Sequence, residues 1–235
     1  MWYKVKKIYI YQNWQEKQVR PPSTYIVHFP LESDVLDHSN NNVSMTEYQT
    51  KSFTTLASWK KVIYSTSWWG LQSASNFVST YLSTHKYTVR CWVNPTKNGD
   101  ARRNHFQILK NTSQWRDWIE AAVCTRETNY WYNWYEQAYY VRWSTNGLQG
   151  STSYNWWHHI VAVYDNGTEY VYINWSLYQT VSTYTISDWY LRLASWDNSN
   201  DWLHWYMSEF IIDSELWTAA EALADYNTTK SLYWL

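Results

Sequence analysis

Residues 157–177 read WHHIVAVYDNGTEYVYINWSL, and the alternation in that stretch decides the fold. Its two apolar runs, His159–Tyr164 and Thr168–Ile173, are dominated by β-branched and aromatic residues, which favour extended backbone. Between them stands Asp165-Asn166-Gly167, residues that tolerate the positive φ of a tight reversal. The runs therefore pair antiparallel, with a register set by the turn. A second turn at Asn174-Trp175-Ser176 leads into Leu177–Ser182 and makes a three-stranded meander.

Working outward, residues 2–11 (WYKVKKIYIY) alternate basic or polar with apolar side chains and predict an edge strand guarded by Lys4, Lys6 and Lys7. Asn13–Pro22 breaks that pattern, and Pro21-Pro22 favours an extended linker. The chain thus divides into an N-terminal strand and linker at 1–22 and one domain at 23–235. Within the domain, strands are expected at Thr24–Pro30, on either side of Ser58–Lys61 within Phe53–Thr66, at Asn76–Thr80 and at Tyr87–Asn94. More follow at Phe106–Lys110, Trp118–Thr125, Gln137–Arg142, Tyr190–Ala194 and His204–Asp213. Leu31–Thr46 reads as a polar Asp/Asn loop, Trp68-Trp69-Gly70 as a turn and Thr96–Asn104 as a charged loop. Glu215–Tyr226 (ELWTAAEALADY) predicts the one helix, N-capped by Ser214, with Leu216, Ala220, Leu223 and Ala224 on one face. Many short strands and one short helix predict an all-β protein, a two-sheet antiparallel jelly-roll β-sandwich.

At 235 residues the chain is long enough to bury a sizeable core. A net charge of −1 gives no general pull toward nucleic acid or an anionic membrane, and no apolar run has the length of a membrane span. Met1–Tyr11 lacks the continuous apolar segment of a signal peptide, so a virion, or an extracellular space reached by another route, is the expected setting. Cys91 and Cys124 sit in apolar runs and read as two free, strand-borne thiols. The anomaly is glycine. The chain has 5 Gly and 20 Trp, where usage of roughly 7% would give about 16 Gly.

In this order the motifs resemble concanavalin A-like, laminin-G-like jelly-roll domains over about residues 24–227. HFPLESDVLDHSNNNVS resembles the opening strand and Asp/Asn loop of that family, YTVRCWVNP its strand with a core Trp before Pro, and WHHIVAVYDNGTEYVYINWSLYQT its diagnostic hairpin. LRLAS and then LHWYMSEFIIDSELWTAAEALADYN resemble its closing strand and helix. The lead-in, KKIYI followed by QVRPP, resembles a segment of some bacteriophage tail and virion proteins. The family pattern has Gly where this chain has Trp175, Trp196 and Trp205, and Trp59, Trp68, Trp189 and Trp202 also fall at turn-like positions. A bulky residue at positive φ costs roughly 1–2 kcal/mol. One expectation is that these tryptophans are glycines in the source organism, encoded by UGA under a code that reads it as Gly. The other is a Trp-rich sugar-binding surface. Trp92 and Trp157 stand where the family itself has Trp and are expected in the core.

Laminarinase-type members of the family carry an E-x-D-x-x-E run, since retaining glycoside hydrolysis needs two carboxylates about 5 Å apart. No such run is present; Glu209, Asp213 and Glu215 come nearest, and no catalytic residue is assigned. Neighbouring His158 and His159 point to opposite faces of a strand and read as structural. The resemblance implies Ca²⁺ between rim loops, with Asp197, Asn198 and Asp201 as candidate ligands and Asp34–Asn42 as a second oxygen-rich loop; ordinary turn chemistry accounts for the same residues. In Asn129–Tyr140 (NYWYNWYEQAYY), Trp131, Trp134, Tyr135 and Tyr139 are candidates for a platform that stacks on sugar rings, or for core packing. Only Arg126 and Arg142 lie near them, which argues against a nucleic-acid partner. The expectation is a non-catalytic recognition module for carbohydrate or a cell-surface partner, in a phage virion or tail or an extracellular protein, with oligomerisation open. A purely structural β-sandwich and a laminarinase-like glycoside hydrolase are the alternatives.

Overall fold

The structure, a computed structural model, describes residues 8–12, 15–19, 24–48, 51–65, 70–95, 102–109, 119–127, 137–141, 156–182, 190–193 and 205–233. In chain order the strands begin with β1 (Ile8–Gln12), β2 (Gln15–Val19), β3 (Tyr25–Phe29), β4 (Met45–Tyr48), β5 (Ser52–Thr55), β6 (Lys61–Ser65) and β7 (Gly70–Ser73). After helix α1 (Phe77–Tyr81) come β8 (Lys86–Pro95), β9 (Arg102–Leu109), β10 (Ile119–Glu127) and β11 (Gln137–Val141). Then follow β12 (His158–Asp165), β13 (Thr168–Ile173), β14 (Ser176–Ser182), β15 (Tyr190–Leu193), β16 (Trp205–Asp213), helix α2 (Ala219–Thr229) and a 3₁₀ turn at Lys230–Leu232.

β1 and β2 form a two-stranded hairpin. The other strands make two antiparallel sheets, the two layers of a β-sandwich. One is eight-stranded in the order β14-β13-β12-β8-β16-β6-β5, with β3 also pairing with β16; the other is six-stranded in the order β11-β10-β9-β15-β7-β4. The meander expected at 157–182 is β12-β13-β14. Asp165 pairs with Thr168 across Asn166 (φ 45°) and Gly167 (φ 91°), a two-residue turn with both φ positive, the twist that suits a hairpin. Ile173 pairs with Ser176 across Asn174 (φ 56°) and Trp175 (φ 122°) in the same way.

Strand alternation makes the core. Tyr87, Val89, Cys91 and Val93 of β8 and Ile160, Ala162 and Tyr164 of β12 meet Phe106, Ile108, Leu191, Leu193 and Leu71 from the six-stranded sheet. The Phe210 ring lies 6.3 Å from Phe29 and 6.0 Å from Phe106. Burying each such side chain contributes roughly 1.5–3 kcal/mol. Burial also pushes the Cys91 thiol up to about 12, so it is an unreactive apolar group as expected. Cys124 lies in β10.

Four expectations are corrected. Asn76–Thr80 is not a strand: Phe77, Val78 and Leu82 are buried at helical spacing, and the segment forms α1. Arg102–Asn104 is not loop but the start of β9, since backbone pairing with β10 extends a strand through charged residues. Asn13–Pro22 contains β2, which lacks apolar alternation and is defined by pairing with β1. The C-terminal helix starts four residues later than expected. Asp213 accepts from the Glu215 N–H (3.0 Å) and from Trp217 Nε1 (2.9 Å), which holds residues 214–217 as a turn. Thr218, rather than Ser214, is the N-cap, in a capping box with Glu221. The later start rotates the buried face to Ala222 and Tyr226, leaving Ala220, Leu223 and Ala224 exposed.

Candidate ligand-binding face

The sandwich has two outer faces, and the sequence treats them differently. On the eight-stranded sheet the outward residues around β8 and β12 are covered by the segment 214–233. Trp92 stacks on Tyr233 at 4.4 Å and Tyr226 at 5.9 Å, Trp157 packs on Tyr233 at 4.8 Å, and Trp92 Nε1 donates to Thr229 Oγ1 at 3.1 Å. Val161 and Val163 meet Trp217 and Ala222 beside them. Trp92 and Trp157 are thus core residues, as expected, of a second core outside the sandwich.

A charged cluster lies under this cover. Arg90, only 7% exposed, pairs with Asp225 of α2 (Nη1–Oδ2 3.3 Å) and with Glu209 of β16 (Nη2–Oε2 3.9 Å). Glu209 also accepts from Lys60 Nζ at 2.6 Å and lies 3.4 Å from His28 Nε2; Lys60 reaches Glu32 as well. A bulge between Ser208 and Ile211 holds Glu209 at φ 53°, which aims the carboxylate at these partners. Burial acts to raise the Glu209 pKa, but the His28 hydrogen bond and the charges of Arg90 and Lys60 outweigh it and bring it down to about 2. Burial likewise opposes ionisation of Asp225, and Arg90 with His159 overcomes it. His159 Nε2 lies 2.7 Å from Asp225 Oδ2; burial holds its pKa below the ordinary value against the pull of Asp225. His158 faces Asn174 (Nδ1···Nδ2 3.4 Å), so both histidines are structural. A carboxylate ionised down to about pH 2 is no proton donor near neutrality, and Asp213 holds the turn before α2. Two of the three acids nearest to a glycosidase pattern, Glu209 and Asp213, therefore do structural work.

On the six-stranded sheet Thr46, Gln72 and Arg192 present their side chains outward in one register row, and the backbone pairing continues that row to Gln107 and Ala122. Thr46 is opposite Gln72, Gln72 opposite Arg192, Arg192 opposite Gln107, and Gln107 opposite Ala122. Leu71 and Ser73 on either side of Gln72, and Leu191 and Leu193 on either side of Arg192, are buried. Thr46 is exposed, while Gln72 and Arg192 are half-buried. Arg192 Nε donates to Gln72 Oε1 at 2.6 Å, which fixes the plane of the guanidinium. Such a row offers directed donors and acceptors, which suit a hydroxyl-rich ligand. The expectations from sequence did not include these residues. The signal was there in LQS and LRL, a polar side chain between two residues destined for the core.

Trp131, Trp134 and Tyr135 lie outside the described residues, as do Asp197, Asn198 and Asp201. Tyr139 is in β11, opposite Thr125, in the same six-stranded sheet. In the second oxygen-rich loop, Asp37 accepts from the N–H groups of His28, Ser39 and Val43 and from Ser39 Oγ, which is turn chemistry. Among the described residues no group of three or more His, Cys, Asp or Glu converges to hold a metal ion, and no helix is long and apolar enough to cross a membrane.

No protein-family model matches the chain, and no curated protein does. Solved structures do. Domain 4 of AbnA, a GH43 extracellular arabinanase from Geobacillus stearothermophilus, in complex with arabinotriose, superposes with a TM-score of 0.60 at 16% identity, over 86% of this chain and 98% of that one. The botulinum neurotoxin serotype G binding domain gives 0.57 at 16% identity over 88% of this chain. The serotype D/C VPI 5993 binding domain gives 0.60 at 14% over 91%. The chain spans about half of these toxin domains, 51% and 53%. At this level of identity the likeness identifies architecture, and the chain has the fold of these binding domains, a two-sheet β-sandwich.

Proposed function

We propose that this protein is a non-catalytic recognition module that binds carbohydrate, free or on a cell-surface partner, across the outer face of its six-stranded sheet. The observation that carries the reading is the in-register row Thr46–Gln72–Arg192 on that face, while the middle of the opposite outer face is taken up by the C-terminal segment. The aromatic stretch with Trp131, Trp134, Tyr135 and Tyr139 precedes and enters β11 of the same sheet in sequence, and its residue types suit stacking on sugar rings. An arabinotriose complex of a similarly folded domain supports a saccharide ligand. A glycan array probed with the whole chain tests this. Binding to a defined set of saccharides, lost in Gln72→Ala and in Trp134→Ala, is expected, and silence across the array favours the purely structural sandwich.

The lead-in KKIYI…QVRPP supports a place in a phage virion or tail, or another extracellular assembly, which neighbouring capsid or tail genes would test. We also propose that turn tryptophans of this chain stand at glycine positions of the native protein. In support, Trp59 (φ 67°) and Trp175 (φ 122°) adopt glycine-favoured backbone and are 87% and 50% exposed. Trp205, by contrast, is in regular strand opposite Ser65 and Pro95, where no such demand exists. Trp68, Trp189, Trp196 and Trp202 lie outside the described residues. Codons decide the matter: UGA at 59 and 175 is expected, and UGG at both ends the proposal.

A further inference from the structure

The C-terminal segment meets the eight-stranded sheet through aromatic rings, with ionisable groups buried among them. It leaves β16 by the turn at 214–217, which Asp213 anchors to the sheet, and then lays Tyr226 and Tyr233 on Trp92. Under α2, Asp225 serves two partners on the sheet, Arg90 (3.3 Å) and the His159 ring (2.7 Å). That ring is 1% exposed and is enclosed by Asp225 and Tyr226 of α2 and by Arg90 and Trp92 of β8. Asn174, from the β13–β14 turn, meets its backbone. Behind Arg90 stand Glu209 of β16 and Tyr25 of β3, and Glu209 is engaged by Lys60 and His28. Among the described residues Asp225 is therefore the carboxylate that His159 reaches, and it is shared with a permanent cation. Nε and Nη1 of Arg90 are buried with no hydrogen-bond acceptor among the described residues. A contact with two unsatisfied donors and one divided carboxylate gains from the entry of water, which offsets part of its aromatic stacking.

We propose that residues 218–233 form an acid-released strap, which lifts from the sheet about the anchored turn at 214–217 when the His159 ring takes up a second proton, while the sandwich beneath stays folded. The released form presents Trp92 and Trp157 on its outer face. Docked, burial holds the His159 pKa below 6.5 against the pull of Asp225, and the charge of Arg90 lowers it further. Lifted, the ring meets water and regains its proton near the ordinary value. Release is thus favoured as pH falls below about 6.5, by up to about tenfold per pH unit for one proton taken up. Asp225 is also lowered when docked, so its own proton adds to the effect only below about 3.8.

The test is amide hydrogen exchange of the full chain from pH 7.5 to pH 4.5, followed peptide by peptide and corrected for the intrinsic rate at each pH. Protection of the α2 amides is expected to fall below pH 6.5, approaching tenfold per unit, while that of β8 and β12 holds. His159→Gln keeps a donor for Asp225 and cannot titrate, so its α2 protection should stay level across the same range. Circular dichroism establishes that the variant is folded. Should it not fold, the His159 ring of the unaltered chain, followed by NMR, carries the comparison, and its titration should track the loss of α2 protection. Protection of α2 that is independent of pH, or that is lost together with β8 and β12, overturns the proposal. So does a pH dependence that survives His159→Gln, or a ring titration that does not follow the exchange.

Discussion

Trp175 holds φ at 122° and Trp59 at 67°, and at each the Cβ rather than the indole creates the strain. Trp59 lies within the turn that joins β5 to β6, where its N–H donates to Leu56 O at 2.9 Å and the Leu56 N–H to Lys60 O at 2.8 Å. It has little contact to lose, whereas Trp175 packs on Tyr226 with ring centroids 4.9 Å apart. Comparing Gly with Ala at one site cancels the lost ring contacts. Trp59→Gly and Trp175→Gly should each exceed the corresponding Ala variant in stability by about 1 kcal/mol in urea unfolding; Ala equal to or above Gly at both sites refutes the strain argument. These two positions were legible in the sequence because hairpin turns state their dihedral needs locally. Glu209 was not, because its positive φ arises from a bulge set by β3, β8 and β16 together.

At the scale of elements, those whose determinants are local were read correctly and those set by distant partners were not. The β12-β13-β14 meander carries its own turns and alternation. α1 was misread because a five-residue apolar segment suits strand or helix, and only the packing of Phe77 and Val78 decides. α2 was found but misplaced, because Asp213 takes up the donors that would have begun the helix at Ser214. Thr218→Ala should lower stability by about 1 kcal/mol through loss of the cap, read as a shift in denaturant midpoint with an unchanged slope. Asp225→Ala should cost more, about 3–5 kcal/mol, since it leaves Arg90 buried with a distant Glu209 as its remaining carboxylate. A double variant Arg90→Met/Asp225→Leu should recover much of that loss. A double variant as unstable as the single one would show that packing of α2, not the buried charge, sets the cost.

For the whole molecule the two-sheet architecture was legible, but the face proposed for the ligand was not. That face is a row built from β4, β7, β15 and β9, which are far apart in sequence, and no single stretch announces it. The charged cluster under α2 was equally hidden, and it sets the response to acid. His159 has a lowered native pKa, so the unfolded chain takes up its proton first and stability falls as pH drops below about 6.5. Glu209 and Asp225 are also lowered, so their contribution is full above about pH 4.5 and is lost as pH falls further, for Glu209 toward about pH 2. For Glu209, moving from 4.5 to about 2 corresponds to on the order of 3 kcal/mol. Thermal midpoints should decline in two stages, and a flat profile from pH 7 to pH 3 refutes the cluster's role. Finally, β16 lies between β8 on one edge and β6 with β3 on the other, so it alone joins β12, β13, β14 and β8 to β3, β5 and β6. During synthesis the larger layer therefore stays in two unconnected halves until residues 205–213 leave the ribosome. A nascent chain halted before Trp205 should be protease-sensitive throughout.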